Sequence, residues 1–126
     1  MAGLTVVGLL ALTGGFLFLM RELRRGNLIQ QEVGVEIATP VIRAEGEPIE
    51  VITAARVQPG GIAARAGLRE GEVIVHPDGK RSLTSMFRWL DHHRGYPITL
   101  TVMPGGDGPS LAVRPHRTVT LTLPPR

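Results

Sequence analysis

The chain opens with an uncharged stretch of nineteen residues, "AGLTVVGLLALTGGFLFLM" from Ala2 to Met20, which differs in character from the remainder. As a helix rising ~1.5 Å per residue it would be roughly 28 Å long, close to the ~30 Å hydrocarbon thickness of a bilayer. Its only polar side chains are two threonines, too few for the polar stripe of a soluble surface helix. The stretch therefore predicts one transmembrane anchor over residues 1–20.

The alternative for this stretch is a cleavable signal peptide. No lysine or arginine precedes the apolar run, the run exceeds the ~7–15 residues of a usual hydrophobic region, and no A-x-A-like cleavage site follows it. Instead Arg21, Arg24 and Arg25 follow directly, within "RELRRG". These features favour an anchor, and we expect the three arginines to meet the headgroups of the lipid bilayer.

The flanking charges also predict an orientation. With arginines only on the C-terminal side of the anchor, the positive-inside rule places the remainder of the chain in the cytoplasm, on a single-pass protein of the inner membrane. Within the anchor, Gly8, Ala11 and Gly15 share one helix face, where small residues let a second helix approach closely. The other interpretation is that such residues are merely frequent in membrane helices.

Composition excludes several classes of function. The 126 residues suffice for one domain and an appendage, and they contain no cysteine, so neither disulfides nor thiolate metal sites are available. The net charge is +3, and from Val51 onward ten basic and five acidic residues are scattered rather than gathered in a basic run. We therefore expect no nucleic-acid partner.

Beyond a basic juxtamembrane linker at residues 21–31, of which residues 26–31 look like a short tether, apolar residues alternate with a period of two. Two helical patterns interrupt these predicted strands: "IAARAGL", and a second that begins at an N-cap, Thr84 or Ser85, and stops near Arg94-Gly95. In the second, Met86, Phe87 and Leu90 form an inward face. The order predicts an α+β domain at residues 32–124, a small, partly open β-barrel capped by two helices.

The segment "PGGIAARAGLREGEVIV" resembles the signature of PDZ domains, in which P-G-x-x-A-x-x-A-G-L precedes G-D and a strand. Pro59-Gly60, Ala63 and Ala66-Gly67-Leu68 stand at those positions, with Glu72 in place of the aspartate. The physics of the residues agrees, because small alanines let a short helix sit tightly on a barrel and Gly67 can reverse the chain. The resemblance, to bacterial PDZ domains of protease and secretion proteins, extends over about residues 32–123.

The resemblance implies a peptide groove between the segment "EVGVEI" and the second helix. A bound peptide would add a strand to the sheet edge, and its carboxylate would meet backbone N–H groups around Gly34. Glu32 and the long "ATPVIRAEGEP" connection depart from the family pattern. Without a ligand, the same residues would be an ordinary first strand with a glycine bulge. The groove residues so predicted are Val33, Gly34, Val35, Glu36, Ile37, Met86, Trp89, Leu90 and His93.

Catalysis is not indicated by any motif. There is no G-x-S-x-G, and "PGGDGPS" lacks the Lys-Ser/Thr and the helix of a phosphate loop. His92 and His93 point about 100° apart on a helix, so they are unsuited to one metal. We therefore expect no enzyme, no cofactor and no metal.

Two functions remain open from the sequence. The first is an accessory or scaffolding subunit of a membrane complex, with integral membrane proteins as partners. The second is an adaptor or sensor that captures the C-terminal peptides of proteins in proteolysis or secretion. The family resemblance implies a location outside the cytoplasm, which is more usual for bacterial PDZ domains on one anchor, so a periplasmic domain is the alternative to the orientation that the arginines favour.

Overall fold

The computed structural model describes residues 24–79 and 82–126. Residues 24–33 are helical and form α1, which takes the place of the predicted tether. Seven strands and two further helices follow: β1 (Val35–Ala38), β2 (Val41–Ala44), β3 (Glu47–Glu50), β4 (Ile52–Val57), α2 (Ile62–Arg65), β5 (Val73–Val75), α3 (Leu83–His92), β6 (Ile98–Met103) and β7 (Arg117–Leu121). A 3₁₀ turn, Leu111–Val113, precedes β7.

Five strands form an antiparallel sheet in the order β1-β4-β5-β6-β7. The sheet is open, with β1 and β7 at its edges. A register shift between Glu36 and Ile37 bends β1 against β4. The α+β class with few helices agrees with the prediction, and β1 is left with one edge that no strand of the described chain covers.

The connection between β1 and β4 contains a hairpin that the sequence did not predict. Strands β2 and β3 pair through a two-residue turn in which Glu45 and Gly46 both have positive φ, 54° and 79°. Mirror-image turns of this kind match the twist of paired strands. The hairpin is tied to the loop after β6, because Gly108 donates to the carbonyl of Arg43 over 3.0 Å and accepts from the N–H of Glu45 over 2.9 Å.

The signature segment folds as its residues predict. Ala63 in α2 is fully buried, Gly67 has a φ of 95°, and Leu68 is 4% exposed in the core. The N–H of Leu68 donates to the carbonyl of Ala63 over 3.0 Å, which closes the end of the helix. The predicted Glu72 is also buried, where it pairs with Arg117 and accepts the N–H of Arg69 over 2.7 Å.

Helix α3 begins two or three residues earlier than predicted. Its N-cap is Ser82 rather than Thr84 or Ser85, and the Ser82 hydroxyl accepts the N–H of Ser85 over 3.3 Å. The inward face is as predicted, since Met86 and Leu90 are at most 5% exposed and Phe87 is 8% exposed. Together with strands β1 and β4–β7, these side chains form the main core, which also receives Ile29 from α1.

The predicted membrane anchor at residues 1–20 lies outside the described residues, and so do Gly8, Ala11, Gly15 and Arg21. Within residues 24–79 and 82–126, no helix has both the length and the apolar character needed to cross a membrane.

Candidate functional site

Five of the nine predicted groove residues line one cleft between the edge of β1 and helix α3: Val33, Val35, Ile37, Met86 and Leu90. Val35 and Ile37 of β1 face Met86 and Leu90 of α3 across an apolar cleft whose floor includes Leu68. These side chains carry no polar atom, so the cleft can hold apolar side chains but cannot orient a polar one. Val33 lies at one end of the cleft, as the last helical residue before Gly34.

Helix α1 occupies this cleft. Ile29 is 1% exposed and lies among the cleft residues, and about 20 Å³ of space remains. A cavity of that size holds roughly one water molecule, so the cleft is full. At the start of α1, a Cβ on Gly26 would lie 2.9 Å from the ring of Phe87, which shows that α1 and α3 pack closely there. The sequence did not predict that this segment would enter the groove.

Gln30 of α1 holds the donors that a bound peptide would use. Its side-chain oxygen accepts the N–H of Ile37 over 2.8 Å, at the edge of β1 that no strand covers. Its backbone carbonyl accepts the N–H of Gly34 over 2.8 Å. By the family resemblance, the N–H groups around Gly34 would bind the carboxylate of a peptide. Gln30 therefore accepts from the N–H expected to meet the carboxylate and from the N–H expected to pair with the peptide strand.

The backbone conformation at position 34, between α1 and β1, requires a glycine. Gly34 has a φ of 76°, and a Cβ there would lie 3.3 Å from the Cα of Gly61. Its carbonyl accepts the N–H of Gln58 over 2.8 Å, which fixes the loop to the segment before α2. The contacts of Gly34 with Gly61 and Gln58 therefore hold the turn between α1 and β1 in place.

Trp89 and His93 lie beside the groove and contact each other. Both are partly exposed, and their rings lie 4.4 Å apart. His93 Nδ1 is 2.8 Å from the carbonyl of Trp89, so this nitrogen carries a proton and donates. The pair presents an aromatic surface at the rim rather than inside the cleft. Glu36 is exposed on β1, 3.8 Å from the guanidinium of Arg56.

Glu32, which departs from the family pattern, holds α1 in place. Its two carboxylate oxygens accept from Arg94 over 2.5 and 3.0 Å. Arg94 also donates to Asp91 over 2.7 Å. These hydrogen bonds, that of Glu32 first, raise the pKa of Arg94 above its ordinary value. Gly26 near the start of the described part of α1 lies against Phe87, and Glu32 near the end of α1 contacts Arg94, just after α3. The two helices therefore lie side by side and run in the same direction.

The predicted lipid-binding arginines are only partly described. Arg24 is exposed and Arg25 partly exposed on α1. Both line an open cleft that also contains Arg94 and Arg126, together with Glu32. The basic residues of α1 thus stand next to two other arginines that are distant in sequence.

Other buried polar residues have structural partners. His76 is 2% exposed; its Nδ1 accepts the N–H of Asp78 over 3.0 Å, so its Nε2 carries the proton that faces Ser85 Oγ at 3.1 Å. Arg114 donates to three backbone carbonyls of the loop after β6. Among the described residues, no three His, Cys, Asp or Glu side chains gather as a metal site would require.

A family model matches part of the chain. Residues 53–102 match the model of the PDZ domain, a stretch that contains α2, β5 and α3 and all but one residue of β4 and of β6. The match supports a PDZ domain in this part of the chain, and PDZ domains are protein-interaction modules. Strand β1 and helix α1 lie outside the matched stretch.

Individual proteins are more distant. A solved structure described as "HtrA-type protease AlgW with decapeptide" is 27% identical in sequence, with a TM-score of 0.47. The alignment covers 75% of this chain and 29% of that one, so this chain spans less than a third of that protein's length. No curated protein matches the chain significantly.

Proposed function

We propose that this chain is a membrane-anchored protein-interaction module whose partner-binding surface is the groove between β1 and α3. The role is binding rather than catalysis. The bound segment would be the C-terminal end of a partner protein, added as a strand to the free edge of β1.

The observation that carries the proposal is the N–H of Ile37, which points away from β4 at the edge of the sheet. Strand β1 pairs with β4 on one side only, and the Ile37 N–H on the other side is bonded to a side chain, Gln30, rather than to a strand. An aliphatic cleft lies directly beside this edge. Main-chain donors next to an apolar pocket are the features that strand addition needs.

The groove can be tested by removing this one donor. In Ile37→Pro the outward N–H is lost, which proline tolerates at a sheet edge, whereas Ile37→Val keeps it and changes the side chain by one methylene. We expect peptides with a free C-terminal carboxylate to bind Ile37→Val as they bind the wild type. Because Gln30 holds the same donor when no peptide is bound, Ile37→Pro and Ile37→Val are compared in chains that also carry Gln30→Ala, where Ile37→Pro should bind at least about tenfold more weakly. Amidated peptides serve as the ligand control. Equal binding by the two variants in that background would refute the groove as the binding site.

The membrane part of the proposal rests on the uncharged stretch Ala2–Met20. Through Gly8, Ala11 and Gly15 the anchor would pack against helices of a larger membrane complex, in which this chain is an accessory or scaffolding subunit. Purification in mild detergent followed by mass spectrometry should then recover partners in stoichiometric amounts. Recovery of the chain alone would contradict the subunit role and would leave the adaptor role, which needs only transient partners.

The side of the membrane is accessible to labelling, because the chain contains no cysteine. Val113 and Tyr96 are 68% and 70% exposed, so Val113→Cys and Tyr96→Cys present a thiol without disturbing the core. On the proposed cytoplasmic side, a membrane-impermeant maleimide labels neither variant until the cells are opened. Labelling in intact cells would place the domain in the periplasm.

A further inference from the structure

We propose that α1 is a built-in competitor for the groove and that a partner peptide binds by displacing it. This inference rests on the proposed function, because it concerns access to the same groove. It changes the expected behaviour of the protein: the resting groove is closed, and the affinity for a peptide depends on how often α1 leaves.

Competition is direct because α1 uses the same atoms as a peptide strand. Gln30 accepts the N–H groups of Gly34 and Ile37, both over 2.8 Å, and Ile29 fills the aliphatic cleft. A peptide strand cannot reach either donor while Gln30 holds them. Since buried donors must remain paired, a peptide and α1 would exchange places without leaving these groups unsatisfied.

Displacement is feasible because α1 belongs to neither sheet of the described chain. In the cleft it is attached through the side chains of Ile29 and Val33 and through the hydrogen bond between Gln30 and Ile37. Outside the cleft it is held by Gly26 against Phe87 and by the pair of Glu32 with Arg94. Helices in proteins owe most of their stability to tertiary packing, so loss of these contacts would release residues 24–33 from the groove.

The apparent affinity then follows from the open fraction. A peptide that binds only the open form has an apparent Kd equal to its intrinsic Kd divided by the fraction of molecules that are open. Weakening α1 should therefore tighten peptide binding, the opposite of what loss of a contact residue usually does. A chain in which α1 is merely part of the core would lose stability and gain no affinity.

The variants Ile29→Asp and Leu28→Asp form a matched pair on α1. Ile29 is 1% exposed in the cleft and Leu28 is 52% exposed beside it, so the same charge is buried in one variant and solvated in the other. Both are made in the full chain and studied in detergent micelles. Binding of a library of peptides with free C-terminal carboxylates is measured, together with backbone amide exchange in the absence of peptide.

We expect Ile29→Asp to bind peptide at least about tenfold more tightly than wild type, and Leu28→Asp to bind as wild type does. The amides of Gly34 and Ile37 should lose protection in Ile29→Asp, while those of the β6–β7 ladder, such as Leu100 and Val119, keep it and report that the domain is folded.

Equal peptide affinity of all three proteins would refute the proposal that α1 competes for the groove and would leave the proposed peptide binding intact. Unchanged protection at Gly34 and Ile37 in folded Ile29→Asp would also overturn it. Faster exchange there without peptide binding by any of the three would instead refute the proposed function of the groove, because the groove would be open and unused.

Discussion

Glu32 and Arg94 form a two-point contact across 62 residues of sequence, with the carboxylate of α1 accepting from both terminal nitrogens of the guanidinium. Their side chains are 34% and 10% exposed, so the ion pair is partly buried. Arg94 follows α3, and this contact therefore joins α1, which fills the groove, to the end of the helix that lines the groove.

The substitution Glu32→Gln tests this attachment. It keeps the shape of the side chain and removes its charge, and we expect it to lower the free energy of unfolding by about 1 kcal/mol. The matched control is Glu36→Gln, since Glu36 faces Arg56 at 3.8 Å with both side chains more than 60% exposed. That change should cost less than about 0.5 kcal/mol. Urea unfolding curves compare the two, and an equal effect would show that the Arg94 contact adds nothing beyond an exposed ion pair.

Asp91 should make stability depend on acid pH. Burial would raise the pKa of Asp91, but the hydrogen bond from Arg94 and the charge of Arg126 outweigh burial and hold the pKa below its ordinary value of 3.8. A carboxyl with a lowered pKa contributes stability above the pKa of the unfolded chain and loses it as the pH falls through the folded value. Asp91→Asn should therefore unfold at a lower temperature than wild type near neutral pH. The two melting temperatures should converge once the pH lies below the pKa of Asp91 in the folded protein. A difference that stays constant from neutral pH down to that point would show that the charge of Asp91 does not contribute to stability.

Arg114 should not be replaceable by lysine. Its guanidinium donates to the carbonyls of Pro104, Gly106 and Pro109 over 2.8–3.0 Å, and the residue is 5% exposed. A lysine nitrogen keeps the charge but cannot reproduce the planar fork, so Arg114→Lys should cost about 2 kcal/mol. Arg69→Lys, at an exposed position, is the control and should be neutral. Calorimetry would decide, and a neutral Arg114→Lys would mean that the loop needs only a cation.

Two adjacent glycines in the same loop should respond differently to alanine. A Cβ on Gly105 would lie 2.0 Å from the carbonyl oxygen of Gly71, whereas Gly106 has open space around it and a φ of 77°. Gly105→Ala must move backbone and should cost more than about 3 kcal/mol, while Gly106→Ala should cost about 1–2 kcal/mol for its left-handed conformation. Chemical denaturation of both variants measures the difference. Similar costs would indicate that the loop shifts freely away from Gly71.

The parts of the fold that were predicted from the sequence are those in which local pattern and tertiary packing agree. The short helix that ends at Gly67, the buried Leu68 and the inward face of α3 follow from residue size and periodicity. The start of α3 was misplaced because "SLTS" offers three hydroxyl side chains, and only the folded backbone selects Ser82. Such ambiguity is ordinary at helix ends, where neighbouring caps differ little in energy.

Helix α1 and the β2–β3 hairpin were missed for a physical reason. "GNLIQQ" has a glycine, an asparagine and two apolar residues, too few for an amphipathic pattern, and its helical form depends on the burial of Ile29. The hairpin turn places Glu45 at a φ of 54°, a conformation that favours asparagine or glycine, so its usual signature is absent. The role of Gln30 is invisible for the same reason, since its partners Gly34 and Ile37 become its neighbours only after the helix folds.

The junction between α1 and β1 consists of Gly34 alone, because the helix ends at residue 33 and the strand begins at Val35. A competitor joined by one residue cannot diffuse away after it leaves the groove, so its reclosing is a unimolecular step. The balance between closed and open forms is then an intrinsic constant of each molecule. Dilution leaves it unchanged, and at high peptide concentration the rate of capture should reach a plateau at the rate of opening.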